Sequence, residues 1–585
     1  MLEIYDFEVF KYDWLTVIIN PIEKKETVIV NDKDKLSDYF YNAQNNIWIG
    51  YNNTRYDQYI LKSILLDIDP KKVNDFIIKF GNDGWKYTSL FNQIQMINYD
   101  VMLRNDGGLK SLEAFMGKSI KETSVPFDID RKLTPDEIKE TIKYCRYDVE
   151  QTLNVFLERK SEFDAAMGLV KIFNLPLSYV GKTGAQRVAK ILGGKRKFFN
   201  DDPFLFQIVS TLKLSKYKKC ADWYKCKENH DYDKKQIVKI GKIPHVLAWG
   251  GLHGAIGEIK TKSNGEKYVK ATPYYGEGIY LMADVTAYYP SLQLEYKLGY
   301  RNMANPENFE KIHNENLKFK ALGDKVARLP YKIADNAISG QLKDRQSSLF
   351  DPRENNAVTV NGQLLLVDLI EKLEPHIELI QSNTDGILVK MPNMYKLKDW
   401  YEIIDDIVWE WEERTGMKME FEIYKKVFQK DVNNYLLVGD NGKVKTKGAY
   451  TKSLTNVDYD LPIINNALID YMTKNIPVEK TILNCSELIM FQKVIKLSGK
   501  YWAVWHNGKY FQNKCYRVFA SNNKNDTFIG KSKKKGATIE KFANTPDQCF
   551  IENGDIKGKS VPVKLNKQWY IDLAYKRLKQ YGIEV

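Results

Sequence analysis

The chain has 585 residues, a formal net charge of +13 and a pI near 9.0. That length holds several hydrophobic cores, and the basic balance favours a polyanionic partner, nucleic acid first and membrane surface second. Six cysteines suit a reduced compartment, no stretch approaches a membrane span, and Met-Leu-Glu-Ile-Tyr-Asp at the start carries no secretory pattern, so a soluble, non-secreted protein is expected.

Leu2 to Val9 reads as a strand and Trp14 to Asn20 as its partner. Residues two apart in a strand face the same way, so Asp6 and Glu8 sit side by side, and a divalent metal gives two such carboxylates a reason to coexist. Acidic alternation on a solvated strand face is the plainer reading. Trp48 to Asp57 and then Gln58 to Leu65 read as strand, loop and helix, with Asn53 in the loop and Asp57 at the helix start, where the dipole favours an acid in any case. Thr134-Pro135-Asp136-Glu137 is a helix start with a Thr cap, Pro in the first turn and Glu at the capping-box position. That helix carries Tyr144 and Asp148, four apart and on one face.

In order along the chain, Asp6 with Glu8, Asn53 through Asp57, and Tyr144 with Asp148 resemble the three exonuclease motifs of proofreading DNA polymerases. Ser111-Leu112-Glu113-Ala114-Phe115 resembles the single-strand-binding motif of the same enzymes, through Ser111, Leu112 and Phe115. The resemblance implies two-metal hydrolysis of a 3′-terminal phosphodiester, with Asp6, Glu8, Asp57 and Asp148 holding the ions and Tyr144 positioning the attacking water.

A segment rich in Lys, Tyr and Phe follows, from about Lys171 to Lys242, with no chemistry in its pattern. Cys220, Cys226 and His230 are too few and too widely spaced for a zinc site. Trp249-Gly250-Gly251-Leu252-His253-Gly254 is a glycine-rich turn. It reads as a plain turn, or it resembles in part the Tyr-x-Gly-Gly element between the exonuclease and polymerase units of the same enzymes, with Ala248 at the Tyr position; that resemblance implies that backbone at Gly250 and Gly251 approaches DNA closely. Ile279 to Ala283 is a nearly continuous apolar strand ending at Asp284, and an acid there sits at a pocket floor or faces water. Asp284-Val285-Thr286-Ala287-Tyr288-Tyr289-Pro290-Ser291 resembles motif A of family B DNA polymerases. The resemblance implies metal positions at Asp284 and Val285, and Tyr289 under the sugar, excluding a 2′-hydroxyl.

Asn305-Pro306-Glu307 starts a helix that runs to about Leu322, and Gly323-Asp324 is a turn. The next helical stretch has Pro330 inside it, so it either kinks there or begins there. Lys332, Asn336 and Gly340 share one face, which Arg328 joins only if the helix passes through Pro330. Lys332 to Gly340 resembles motif B, with Ala337 in place of the family's Ser and Ser339 in place of its Tyr. A basic helix face is more often merely solvated, but basic groups down one face also suit a triphosphate; the resemblance implies dNTP contacts through Lys332, Asn336 and Arg328, with Lys320 on the preceding helix a further phosphate candidate. Ile377 to Lys390 reads as a hairpin around Asn383-Thr384-Asp385-Gly386, similar to motif C, with Asn383 where the family has its first Asp and Gly386 where it has Ser. Asp385 is kept as a metal ligand. Further on, Lys425 to Tyr435 and Lys443 to Gly448 resemble the family's Lys-x-Tyr strand and the Lys-Gly turn after it, with Asn433 at the Lys position and Lys430 three residues earlier; the resemblance implies that they hold the primer backbone, through Lys430, Tyr435, Lys445 and Lys447. The alternative there is a solvated basic hairpin. The C-terminal part reads as a helix from about Leu461, a β-rich module from Lys500 to Gly530, a basic run to Lys535 and a last helix from Trp569 to Gln580.

The expectation is a multidomain α/β (α+β) protein: an RNase H-like exonuclease followed by a right-hand polymerase with palm, fingers and thumb. The expected boundaries are 1–180 exonuclease, 181–300 connector and first palm part, 301–345 fingers, 346–430 second palm part, and 431–585 thumb with a DNA-binding part. The resemblance is to a small phage-type family B DNA polymerase with proofreading. It implies two Mg²⁺ or Mn²⁺ ions per active site, primer–template DNA and dNTPs as substrates, a single-stranded 3′ end in the exonuclease site, replisome proteins as possible partners, a monomer, and residence in the cytoplasm of a bacterial host. The gaps from Asp284 to Lys332 and from Lys332 to Asp385 are 48 and 53 residues. They leave little room for the two insertions of protein-primed phage polymerases, which favours nucleic-acid priming. Two rivals remain: an exonuclease with a degenerate polymerase half, and a basic, non-catalytic DNA-binding protein.

Overall fold

The structure, a computed structural model, describes residues 1–393, 397–448 and 450–584. The chain is mixed α/β with several sheets and divides into two compact units. Unit 1 comprises 1–182, 454–463 and 485–570; unit 2 comprises 183–453, 464–484 and 571–585. The stretch 431–585, expected as one thumb and DNA-binding part, is thus divided, and its β-rich module folds with unit 1. Among the described residues no helix is long and apolar enough to cross a membrane.

Unit 1 starts with β1 (Leu2–Val9), β2 (Trp14–Asn20), β3 (Lys25–Val30), β4 (Ile47–Gly50) and β5 (Ile97–Asp100), in sheet order β3-β2-β1-β4-β5. The first three strands are antiparallel; β4 and β5 run parallel to β1. Alternation along β1 sends Tyr5, Phe7 and Val9 into a core with Trp48 and Ile60. Ile4 packs on the other face against Cys145 and Val149. Asp6 and Glu8 share the face of Ile4, and so point towards α3 (Pro135–Glu158). The preceding helices used below are α1 (Asp57–Leu65) and α2 (Leu109–Phe115). The capping box forms as the residues predict: the Glu137 N–H donates to Thr134 Oγ1 at 3.3 Å, and the Thr134 N–H donates to the Glu137 carboxylate at 2.8 Å.

Unit 2 is built on a nine-stranded sheet. Its strands are β6 (Gln236–Ile240), β7 (Ile243–Leu247), β8 (His253–Ala255), β11 (Tyr274–Val285), β12 (Glu378–Asn383), β13 (Gly386–Lys390), β14 (Met419–Asp431), β15 (Asn434–Val438) and β16 (Val444–Lys447); β9 (Gly257–Thr261) and β10 (Lys267–Ala271) form a separate ribbon. The order is β16-β15-β14-β11-β13-β12-β8-β7-β6, with β11 between β14 and β13. Leu281, Ala283 and Val285 pack beneath a long buried helix, Pro352–Leu373. Tyr280 and Met282 face the other way with Tyr424 and Leu388, and by the same alternation Asp284 lies on that second face. Helix α4 (Tyr288–Glu295) follows β11, after Ala287 turns the chain at φ +44°. Helices α5 (Glu307–Ala321) and α6 (Lys325–Gln341) pack on each other. Asp324 caps α6 by accepting from the Val326 and Ala327 N–H groups. The cap starts α6 before Pro330, so the helix runs through the proline and Arg328 joins the face of Lys332 and Asn336.

The C-terminal module of unit 1 has β17 (Lys493–Lys496), β20 (Cys515–Ala520) and β23 (Cys549–Ile551) in one sheet. A second sheet holds β18 (Ala503–His506), β19 (Lys509–Phe511), β21 (Gly530–Ser532) and β22 (Glu540–Lys541). The module therefore extends beyond the expected 500–530 on both sides.

Candidate active sites

In unit 1 the three predicted acidic stretches converge. A cleft of about 260 Å³ is lined by Asp6, Asp57 and Asp148, with Tyr51, Tyr56, Gly108 and Leu109 on its walls. One oxygen each of Asp6 and Glu8 and the Cys145 Sγ lie within 4.8 Å of one another. The Phe7 N–H donates to Asp6 Oδ1 at 3.0 Å and to Asp57 Oδ1 at 3.3 Å, joining the strand acid to the helix-start acid. Asp57 is buried, so its environment is set by desolvation more than by the helix dipole: burial raises it to about 7, against its hydrogen bonds to Asp6 and the Phe7 N–H. Asp6 is raised by burial and then by the charges of Asp57, Glu8 and Asp148. Glu8 is raised by burial and by Asp148, with Lys110 opposing. Carboxylates that hold one another's proton affinity up form the oxygen-rich donor set that a hard divalent cation satisfies. Asp6, Glu8, Asp57 and Asp148 fit that group.

A cation already sits beside them. Lys110 Nζ donates to Asp148 Oδ1 at 2.5 Å and to Glu113 Oε1 at 3.2 Å, and lies 4.6 Å from the centroid of the Tyr144 ring. Burial opposes the Lys110 charge, but Asp148 and Glu113 outweigh it and raise its pKa. Burial raises Asp148 in turn, while Lys110 and the Tyr144 hydroxyl pull it back. Tyr144 is therefore in contact with the acid it was paired with by helical spacing. Glu113, fully buried, is raised by burial to about 8. Sequence reasoning missed Lys110 and Glu113, although both lie in or beside the quoted Ser-Leu-x-x-Phe stretch.

Three residues expected to contact DNA are buried instead. The Asn53 amide donates to Asn98 Oδ1 at 2.7 Å and to the Tyr99 carbonyl at 3.2 Å, tying the loop to β5. Ser111 and Leu112 are buried on α2, Leu112 within the core beneath β1. Their helical phase points them inward, a choice the motif alone does not make. Phe115 is half-buried with Lys496 Nζ 5.6 Å from its ring centroid.

In unit 2, Asp284 and Asp385 are brought together by strand pairing. Asp284 is opposite Gly386 on β13 and opposite Glu420 on β14. The Val285 N–H donates to the Asp385 carbonyl at 2.8 Å, locking the hairpin turn to the end of β11. Gly386 is required by close approach: a Cβ there would lie 2.0 Å from Asp284 Oδ1. Thr384 holds φ +61°, costly for a β-branched residue, and its N–H donates to the Leu252 carbonyl at 2.8 Å. Gly251 lies against the same threonine, where a Cβ would meet Thr384 Oγ1 at 2.9 Å. The Gly250-Gly251 turn thus braces the hairpin. Asp385 is raised by burial and then by the Asp284 charge, with Lys447 and Lys445 opposing. Lys445 Nζ donates to Asp284 Oδ2 and to Glu422 Oε2, both at 3.0 Å. Burial acts to raise Glu422, but Lys443 and Lys445 hold it down to about 2. Glu420 and Glu422 alternate along β14 in Met-Glu-Phe-Glu-Ile, a period-two signal available in the sequence and not read.

A cleft of about 300 Å³ runs from Asp385 along Tyr289 to Arg328, Lys332 and Asn336, with Lys320 on its wall. All five predicted nucleotide contacts therefore line one cavity. Tyr289 is raised by burial and by Asp385, and Tyr288 beside it donates to the Gly362 carbonyl at 2.6 Å. The Arg328 Nε donates to Asn316 Oδ1 at 2.9 Å; Asn316 Nδ2 donates to Asp335 Oδ2 at 2.7 Å, and the His313 ring nitrogen lies 3.1 Å from the same oxygen. Asn316, Asp335 and His313 are all buried. Lys320 is paired with Glu420. Tyr435 is buried and feels the charges of Lys445, Asp284 and Asp385, so it belongs to this site. Lys430 Nζ lies 5.1 Å from the centroid of the Tyr450 ring. Asn383 is buried, and its amide donates to the Val432 carbonyl at 3.3 Å.

No family profile and no curated protein matches the sequence. Among solved structures, the chain is similar to the family B DNA polymerase of the hyperthermophilic archaeon Pyrobaculum calidifontis, at 12% identity and a TM-score of 0.42, over 100% of this chain and 78% of that one.

Proposed function

We propose that this chain is a DNA-directed DNA polymerase of the small phage type within family B, with a 3′–5′ proofreading exonuclease in unit 1. The observation that carries this reading is the cleft in which Asp385, paired through its strand to Asp284, faces Tyr289, Arg328, Lys332 and Asn336. An acidic end and a basic end in one cavity suit a triphosphate whose α-phosphate lies at the carboxylates. Arg328 and Lys332 neutralise non-bridging phosphate oxygens, and Tyr289 lies under the sugar. Lys445 and Lys447 balance charge near the two acids and are placed to meet a primer phosphate. Bound Mg²⁺ or Mn²⁺ lowers the pKa of an attacking hydroxyl or water and neutralises charge on the phosphates. Asp284 and Asp385, with Val285, would hold such ions in unit 2, and Asp6, Glu8, Asp57 and Asp148 in unit 1. In unit 1, Tyr144 orients the attacking water. The substrates are primer–template DNA and dNTPs, and initiation is on a nucleic-acid primer. The enzyme works as a monomer, alongside replisome proteins, in the cytoplasm of a bacterial host.

The test is incubation with an end-labelled primer–template, four dNTPs and Mg²⁺. Template-directed extension is expected, with shortening of the primer when dNTPs are withheld. Shortening alone, with Mg²⁺ or Mn²⁺ and dNTPs present, would overturn the polymerase reading in favour of a nuclease.

A further inference from the structure

The net charge is concentrated in one place. Residues 485–570 carry 16 Lys and Arg against 6 Asp and Glu, a net of +10 out of +13 for the whole chain. This module belongs to unit 1, not to the unit with the nucleotide cleft. It also holds a cavity of about 380 Å³ that neither active site uses.

The cavity is aromatic and amide-lined. Phe511, Tyr516 and Phe550 line it, together with Asn513, Asn553 and Lys564. Phe511 is 36% exposed, whereas Tyr516 and Phe550 are buried, Phe550 in a stacked pair with Phe519 at 5.2 Å. Lys564 Nζ sits 4.2 Å from the Phe550 ring centroid. The one acid on its wall, Asp526, is already engaged by the Ser521 hydroxyl at 2.5 Å and the Asn507 amide at 3.2 Å. Lys509, Lys514, Lys524 and Lys564 are exposed and lie within three residues of cavity-lining positions or line it themselves; among the described residues none of the four forms an ion pair. An exposed aromatic ring at Phe511, amides that can meet a base edge, Lys564 on the wall and further exposed lysines close by in the sequence are the parts of a site that stacks a base and tracks a phosphate backbone.

The same strand that lines the cavity supports the exonuclease cleft. Arg517, next to Tyr516 on β20, is fully buried and donates to the carbonyls of Ala114 at 3.2 Å, Glu552 at 3.0 Å and Gly554. Asn553 accepts the Ile120 N–H through its carbonyl and the Arg517 N–H through its side chain, and it also lines the cavity. The Gln492 amide donates to the Phe115 carbonyl at 3.0 Å. A ligand in the cavity is therefore held on the framework that carries α2, whose first residues line the exonuclease cleft.

We propose that this cavity is a binding site for single-stranded DNA, stacking a base on Phe511 with Lys564 and its neighbours on the phosphates. It goes beyond the catalytic reading, because it concerns binding without chemistry and is tested without divalent metal. The full chain, in EDTA, is irradiated with a short single-stranded oligothymidylate carrying iododeoxyuridine, and crosslinked peptides are mapped. Crosslinks within residues 509–514, around Phe511, are expected. In Phe511→Ala these crosslinks disappear and oligothymidylate binds roughly tenfold more weakly; Lys564→Gln retains the crosslinks but flattens the salt dependence of binding by about one phosphate contact. Both positions are surface-exposed, and matched thermal unfolding of the variants separates lost binding from lost folding. Crosslinks confined to the two catalytic clefts, or a duplex competitor as effective as single strand, would overturn the proposal.

Discussion

Replacing Asn316 with Ala isolates one link in the proposed nucleotide cleft. Asn316 is buried, accepts from Arg328 Nε at 2.9 Å and donates to Asp335 at 2.7 Å, so it relays the orientation of a buried acid to the half-buried Arg328 guanidinium. A hydrogen bond to a charged group contributes about 1.5–3 kcal/mol. An Arg side chain carries about 2 kcal/mol of rotamer entropy, part of which this bond removes before a ligand arrives. Loss of the bond leaves that ordering to the triphosphate, at about 1–2 kcal/mol, or a roughly 5- to 30-fold weaker apparent dNTP affinity. Single-turnover extension at a series of dNTP concentrations reads this directly. The concentration for half-maximal rate should rise by that factor while the maximal rate changes much less, and 3′ shortening by unit 1 should be unchanged. Asp335→Asn, which keeps the shape and removes the charge, should move the same parameter in the same direction. An unchanged dNTP dependence in Asn316→Ala would refute the idea that Arg328 is pre-positioned for phosphate.

The raised acids of unit 1 make its stability depend on pH and metal together. Asp57 rises from 3.8 to about 7 on folding, so its contribution is fully present below about pH 4 and lost as pH rises through 7. Mg²⁺ that binds the charged form restores that loss, so its gain in melting temperature should be larger at pH 8 than at pH 5.5; equal gains at both would count against a metal site there. Arg517→Met should destabilise unit 1 by about 3 kcal/mol or more, since one buried and two half-buried carbonyls lose their donor. Unfolding curves and nuclease assays check this, and nuclease loss is expected with extension by unit 2 retained. Tyr289→Val should raise ribonucleotide incorporation, measured by alkali-sensitive products; unchanged discrimination would remove Tyr289 from beneath the sugar.

Much of the site was legible because local physics sets it. Strand alternation put Asp6 and Glu8 on one face, a capping box fixed the start of the helix bearing Tyr144 and Asp148, and a turn-forming tetrad placed Asp385 at a hairpin tip. The Pro330 question could not be closed from sequence because it depended on whether Asp324 capped the helix, which is a matter of backbone geometry. Inward and outward helix phase hid the burial of Ser111 and Leu112. Long-range pairing hid the rest: Lys110 meets Asp148 across 38 residues, Lys445 meets Asp284 across 161, and Arg517 meets Ala114 across 403. No local pattern encodes those contacts. The same holds for the placement of residues 485–570 with unit 1, which overrode an expectation drawn from order along the chain.

The central claim is that unit 2 builds DNA and unit 1 removes it. The most direct test is extension of a labelled primer–template with dNTPs and Mg²⁺ by the wild type, Asp385→Ala and Asp6→Ala side by side. The account predicts that the wild type extends, Asp385→Ala only shortens the primer, and Asp6→Ala extends without shortening. Extension that survives in Asp385→Ala, or a wild type that only degrades, would contradict it.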